Sequence, residues 1–343
     1  MKKWLKRLSF VASLAAFAVV VAFYEGDIPK EVVDAKYSSP ASQFLTLASG
    51  ARIHYRDEGL KDGRAIVLIH GSNASLHTWE PWVEILGREY RTISLDLPGH
   101  GLTGKVPDRD YSVANQVAAV NEIVEYLGID RFVLGGNSMG GGVTWRYTLQ
   151  YPRKIEAMIL VDAVGLPQWS AEIREASSKD DNGGPRVFRL LQKPWFRAVG
   201  RYMDPWYLIN QGVRSAYSDQ SAVTDELIQR YYDLAVREGS REATMDRFAG
   251  YSLDALDSVD PAEFILPTLI LWGRDDALIP VGVAEKFDSS LPNTSLVIYD
   301  NVGHAPMEEI PERSAADVLT FLKKNKGNSK TTPENSEVNA VES

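Results

Sequence analysis

The residues best suited to chemistry stand in the run Gly136-Asn137-Ser138-Met139-Gly140, which follows an apolar stretch, Phe132 to Leu134, and precedes a helix-like pattern. A serine with glycine two residues before and two after it fits a strained strand-to-helix turn, where larger side chains at those positions would collide. The helix that follows points its first N–H groups toward developing negative charge. A phosphate-binding loop is the competing reading of so many glycines. The run lacks the G-K-[ST] ending of a P-loop, and it does not match G-x-G-x-x-G, which belongs on the first strand of a dinucleotide fold.

A serine hydroxyl is a weak nucleophile at neutral pH and needs a base. His304, in "DNVGHAPMEE" just after the last strand-like segment, is the candidate. His70 and His100 sit in turns, where each can brace a loop by hydrogen bonds. A base in turn needs a carboxylate that holds its tautomer. "LILWGRDDALIP" supplies two, Asp275 and Asp276, at the end of a strand-like run. An oxyanion needs two N–H donors. Met139, next after the serine, offers one; the turn after "AIVLIHG" offers the other through Ser72, with Asn73 next in reach.

These groups must be carried by a scaffold, and the pattern predicts one. "QFLTLASGARIHYRDEG" reads as a hairpin about Ser49-Gly50. "AIVLIHG" is a continuous apolar run, as a strand buried on both faces should be. "YRTISLDLPGHG", "RFVLGGNS", "IEAMILVDA", "TLILWGRDD" and "SLVIYDNVGH" are further strands. Ser112 caps a helix whose Val113, Val117, Val120, Val124 and Leu127 share one face and which Gly128 ends. Strands alternating with helices imply an α/β fold with a mostly parallel sheet covered on both faces. About a hundred residues without a buried strand separate "ILVDA" from "PTLILWG", too many for a loop. They include helical pieces such as "TDELIQRYYDLAVREG".

The motifs "HGSNAS", "DLPGHG", "GNSMGG", "WGRDDALIP" and "GHAPMEE" resemble, in order and spacing, those of α/β-hydrolase-fold serine hydrolases over about residues 43 to 325. The likeness extends to esterases, membrane-anchored monoacylglycerol-lipase-like members and bacterial lipases. It implies an α/β-hydrolase core at 43–164 and 259–325, with a helical cap at 165–258. In that family the acid stands three residues after the glycine of "WG", which selects Asp276. The resemblance implies acylation of Ser138 and release by water activated by His304, with no metal or organic cofactor. Dehalogenases and epoxide hydrolases of this fold carry aspartate at the elbow. Carbon–carbon bond hydrolases of ring-cleavage dienoates are the rival, since they often show "GNSMGG". They tend to have a longer Gly-rich oxyanion turn and a Trp after the histidine, where this chain has "HGSNAS" and Ala305. The alternative of a non-enzymatic binding protein of this fold is disfavoured, because no triad position is lost.

Within the insertion, "KPWFRAVGRYMDPWYLI" carries Trp195, Phe196, Met203, Trp206 and Tyr207. Of these, Trp195, Phe196 and Trp206, together with Asn73, are taken as substrate-contact candidates for an apolar acyl pocket, although packing the cap onto the sheet is an equal use for them.

The formal charge of −9 leaves no basic footprint for nucleic acid. The absence of cysteine excludes disulfides, thiolate metal sites and a Cys nucleophile. The five histidines show no metal-ligand spacing. The chain opens with Lys2, Lys3, Lys6 and Arg7, followed by an uncharged run from Leu8 to Tyr24. That run of about 17 residues is the short end of a membrane span. An uncleaved anchor over 1–24, with the body on the periplasmic side of an inner membrane, is expected; a cleaved secretory signal is the alternative. Residues 25–42 read as a linker and 326–343 as a disordered tail. The expected partners are thus a small ester or lipid and, through the N-terminus, a membrane.

Overall fold

The computed structural model describes residues 26–169, 191, 193–250 and 258–326. The expected anchor or signal segment at 1–24 lies outside the described residues, as does the expected tail apart from Lys326. Among the described residues no helix is long and apolar enough to cross a membrane.

The described residues begin with helix α1 (Lys30–Tyr37) and the hairpin β1 (Ser42–Thr46) and β2 (Arg52–Gly59). There follow β3 (Ala65–Ile69), α2 (Glu80–Leu86), β4 (Arg91–Leu95), α3 (Val113–Tyr126), β5 (Phe132–Asn137), α4 (Met139–Gln150) and β6 (Ile155–Val161). Among the described residues, α5 (Pro194–Gly200), α6 (Trp206–Ala216), α7 (Asp225–Val236) and α8 (Ser240–Gly250) come next. The chain then returns to the sheet with β7 (Thr268–Gly273), α9 (Gly282–Ser290), β8 (Thr294–Tyr299), α10 (Pro306–Glu309) and α11 (Pro311–Lys324).

The eight strands form one sheet in the order β1-β2-β4-β3-β5-β6-β7-β8. The β1–β2 and β2–β4 pairs are antiparallel and all the others parallel. Period-2 alternation divides each central strand between two cores. Ile66 and Leu68 of β3 join Trp79, Trp82 and Leu86 beneath α2 and α11. Val67 and Ile69 join Val117, Val120, Ile123 and Val124 of α3 on the other face. Each fully buried Val, Leu or Ile contributes about 1.5–3 kcal/mol, so these paired cores outweigh any surface ion pair of the fold. At the start of α3, Ser112 Oγ accepts the Asn115 N–H, and beyond its end Gly128 takes the left-handed φ of +65°.

Strand order reverses direction at β3. The chain steps outward to β4 and then returns to lay β5 on the other side. Crevices for ligands form at the carboxyl ends of strands flanking such a switch point. The turn after β3 carries Ser72, and the turn after β5 carries Ser138, so topology alone brings both to one place.

Residues 30–37, expected as linker, form a docked helix instead. Val33 is its single buried residue. The rest of the attachment is polar. Asp34 takes a two-pronged contact from Arg237 at 2.7 and 3.2 Å, and Lys36 reaches Asp233 at 2.6 Å. Ahead of the helix, Ile28 bonds by its backbone to Val236 and Glu238, at 2.9 and 2.8 Å. One apolar residue leaves no periodic trace, which is why the sequence pattern does not show this helix.

Candidate active site

Ser138 lies between β5 and α4 with φ 54° and ψ −119°, a conformation strained for any side chain. Three backbone hydrogen bonds hold it there. Its N–H donates to Val161 O at 3.0 Å, and its carbonyl accepts from Gly142 and Val164 at 3.2 and 3.0 Å. A Cβ on Gly136 would strike the Gly140 carbonyl, and one on Gly140 would strike the carbonyls of Ile69 and His70. Gly141 lies tight against Ala163, so that α4 packs closely on the sheet. Gly142 has looser neighbours: Val164 is 3.5 Å from a built Cβ, and the nearest atom is the movable end of Arg146 at 3.2 Å.

The turn after β3 abuts this elbow. A Cβ on Gly71 would lie 2.8 Å from Asn137 Oδ1 and 3.1 Å from Ser138 Cβ. His70 braces the turn. His70 Nδ1–H donates to Gly71 O at 2.7 Å, and its Nε2 accepts the Leu97 N–H at 3.0 Å. Burial pushes the His70 imidazole toward its neutral form, which this pairing of one donor and one acceptor requires. Beneath it Asp96, fully buried, accepts from the N–H groups of Leu76 and Leu102 and pairs with His54 at 2.7 Å. The His54 contact in particular holds its carboxyl well below the usual carboxylate range despite burial.

His304 follows β8 and faces the same cavity as Ser138, a space of about 500 Å³. Its Nδ1 lies 2.7 Å from Asp276 Oδ2. The other oxygen of Asp276 accepts the N–H groups of Leu278 and Ile279 at 2.7 and 3.1 Å. Asp275 points elsewhere and accepts from Ser218 Oγ at 3.1 Å. The backbone of the His304 loop is held from two sides that carry no sequence signature. Ala216 O, at the end of α6, accepts the His304 N–H at 2.6 Å, and Asn137 Nδ2 donates to His304 O at 3.0 Å.

Asp162, just past β6, is a member of this site that sequence reasoning missed. It is fully buried at φ 44°, and its Oδ1 accepts the Gly273 N–H at 2.9 Å. Asp162, Asp276 and His304 each present a polar atom within 4.8 Å of the others. Burial, and after it the adjacent Asp276 charge, push the Asp162 carboxyl well above the carboxylate range. Asp162 therefore keeps its proton to higher pH than an ordinary carboxyl, with the Asp276 carboxylate beside it. The same trio is the one cluster of possible metal donors among the described residues. A carboxyl that resists ionisation makes it a poor cation site, because ligands must be deprotonated.

The unfolded chain ionises Asp162 near pH 3.9, whereas the folded chain keeps the proton to a higher pH. Above pH 4 the folded state thus binds the extra proton, and stability falls as pH rises, by up to about 1.4 kcal/mol per unit until the folded carboxyl ionises. Asp162→Asn removes that slope while keeping a donor toward Asp276. Its gain in urea stability over wild type is expected to be larger at pH 8 than at pH 5. An equal difference at both pH values would mean that Asp162 is ionised in the folded chain.

The cavity walls combine the turn, the elbow and the cap. Phe196, Met203 and Tyr207 line it, as do Leu208 and Val213. Ser72 and Asn73 line it at the core side. Trp195 and Trp206 do not, contrary to expectation. They are 63% and 39% exposed, and Trp206 packs edge-on against Tyr232 of α7, ring centres 5.1 Å apart. Trp195 and Phe196 are adjacent on a helix, so they point about 100° apart and only one faces the cavity.

The comparisons with known proteins agree with this architecture. The α/β hydrolase fold family matches residues 64–311, and the chain belongs to that family of hydrolases. It is 30% identical over 268 residues to a 2-hydroxy-6-oxo-2,4-heptadienoate hydrolase of Pseudomonas putida, covering 76% of this chain and 88% of that one. It is 28% identical to a monoacylglycerol lipase of Xenopus laevis, covering 78% of each chain. Among solved structures, a meta-cleavage product hydrolase superposes with a TM-score of 0.68 at 25% identity, covering 83% of this chain and 98% of that one.

Proposed function

We propose that this hydrolase cleaves carboxylic esters through an acyl-enzyme on Ser138. The observation that carries the reading is a strained serine at the head of α4, sharing one cavity with a histidine whose other nitrogen is paired to Asp276 at 2.7 Å. In this mechanism His304 Nε2 takes the Ser138 proton as the hydroxyl attacks the ester carbonyl. The N–H groups of Met139 and Ser72 receive the oxyanion. His304 then protonates the leaving alcohol, and a water activated by the same imidazole releases the acid. Asp276 keeps Nδ1 protonated and steadies the imidazolium.

An apolar cap-side wall of Phe196, Met203, Leu208 and Val213 supports short or medium acyl chains or monoacylglycerols as substrates. The basic and then apolar N-terminus supports a body held at the periplasmic face of a membrane. Ring-cleavage dienoates are a second reading, favoured by the hydrolase of Pseudomonas putida. Against it stand the short "HGSNAS" turn and Ala305 after the histidine.

The deciding measurement is kcat/KM on p-nitrophenyl esters of increasing acyl length, on monoacylglycerols and on a ring-cleavage dienoate. Ester turnover with an optimum at short or medium chains is expected. Turnover of the dienoate with esters untouched would overturn the reading.

A further inference from the structure

We propose that Arg247, on cap helix α8, is an anion subsite of the catalytic cavity and binds a carboxylate or phosphate carried by the substrate near the scissile carbonyl. The proposal rests on the ester-hydrolase reading above and names its substrate class.

Arg247 is 9% exposed and lines the cavity beside the turn after β3. It donates to Asn73 Oδ1 at 2.7 Å, Thr244 Oγ1 at 3.2 Å, Ser72 Oγ at 3.3 Å and His100 Nε2 at 2.5 Å. All four partners are neutral. Burial and the neighbouring Arg247 charge drive His100 well below its ordinary range, so that its ring accepts. The guanidinium itself, lowered by burial to about 10, keeps its charge at neutral pH.

The other buried arginines are each answered by an acid. Arg56 pairs with Glu80, Arg237 with Asp34 and Arg241 with Asp27, at 2.7, 2.7 and 2.6 Å. Arg247 has no carboxylate partner among the described residues, and its Nε–H has no acceptor. A buried, uncompensated cation is strongly unfavourable. Tying the cap to the turn uses the donors of the guanidinium but leaves its charge unanswered. Gly99, at φ +81°, leaves the guanidinium stem room to pass: a Cβ there would sit 2.9 Å from Arg247 Cδ. The charge thus lines the cavity, against the turn that carries Ser72, with no carboxylate to answer it among the described residues. A substrate with an acidic group a few bonds from its ester supplies that counter-ion and orients the carbonyl at the same time.

The test uses two matched pairs at fixed pH: p-nitrophenyl butyrate against mono-p-nitrophenyl succinate, and a monoacylglycerol against the lysophosphatidic acid of the same chain. Wild type is expected to prefer the anionic member of at least one pair, and which pair it is distinguishes carboxylate from phosphate. Arg247→Gln should lower the anionic-to-neutral ratio of kcat/KM by at least about thirty-fold, with most of the loss in KM. Arg247→Lys should restore part of it. Preference for the neutral member in both pairs, or an unchanged ratio in Arg247→Gln, overturns the proposal. The binding preference is also read by calorimetry on Ser138→Ala with the same esters. Full turnover by that variant would defeat the ester-hydrolase reading while leaving the anion preference to be judged on its own.

Discussion

Ser138→Ala is expected to lower kcat on any accepted ester by about 10⁴-fold or more, because His304 and Asp276 have no covalent route without the hydroxyl. The strain at this residue adds a second readout that catalysis alone would not give. At φ 54° and ψ −119° a Cβ is unfavourable whether the residue is serine or alanine. Such positions store about 1–3 kcal/mol, and three backbone hydrogen bonds from Val161, Gly142 and Val164 hold this one in place. Ser138→Gly releases that strain and gives back part of it as unfolded-chain entropy, about 0.5–1 kcal/mol. The glycine variant should thus be as inactive as the alanine variant, yet more stable than it by about 1 kcal/mol in urea unfolding. Equal stabilities would show that the elbow is unstrained. Near wild-type turnover by either variant would remove Ser138 from the mechanism.

What the sequence reveals of this site follows from which constraints act locally. The elbow is legible because carbonyls leave no room for a Cβ, that of Gly140 at position 136 and those of Ile69 and His70 at position 140, and that requirement writes glycine at both. The strands at 65–69 and 268–273 are legible because burial on both faces leaves only apolar residues. Asp276 and Asp275 are equivalent to composition and spacing. The family likeness separates them, and the 2.7 Å contact from Asp276 to His304 gives the physical reason. Side-chain partnerships between distant segments leave no such trace. Arg247 reads as one more charge on a polar helix, and only the packing of α8 over the turn makes it a buried cation. Asp162 looks like any turn carboxylate until β6 and β7 bring it to Asp276. Trp195 and Trp206 mislead for a related reason: aromatic character says nothing about which side of a cap helix faces inward.

Asp276→Asn tests the link between Asp162 and the catalytic carboxylate. Both oxygens of Asp276 accept, one from His304 Nδ1 and the other from the N–H groups of Leu278 and Ile279. An amide has one acceptor, so its NH2 must face one of these sets of donors. The two backbone N–H groups are fixed, so the NH2 turns to the imidazole and drives it to the tautomer with Nε2–H. That tautomer cannot take the Ser138 proton, and a loss of about 10⁴ in kcat is the expected result. The residual activity should carry the signature of Asp162. In wild type the charge of Asp276 helps to keep Asp162 protonated. With that charge removed, Asp162 ionises at lower pH, and its carboxylate stands in the same cluster as the imidazole. Its negative charge favours the proton on Nδ1, so kcat of Asp276→Asn should climb with pH as Asp162 ionises. Asp162→Asn/Asp276→Asn has nothing to ionise there and should stay flat at the lower value. Coincident pH profiles for the single and double variants would show that the two carboxyl groups, though adjacent, do not act on the histidine together.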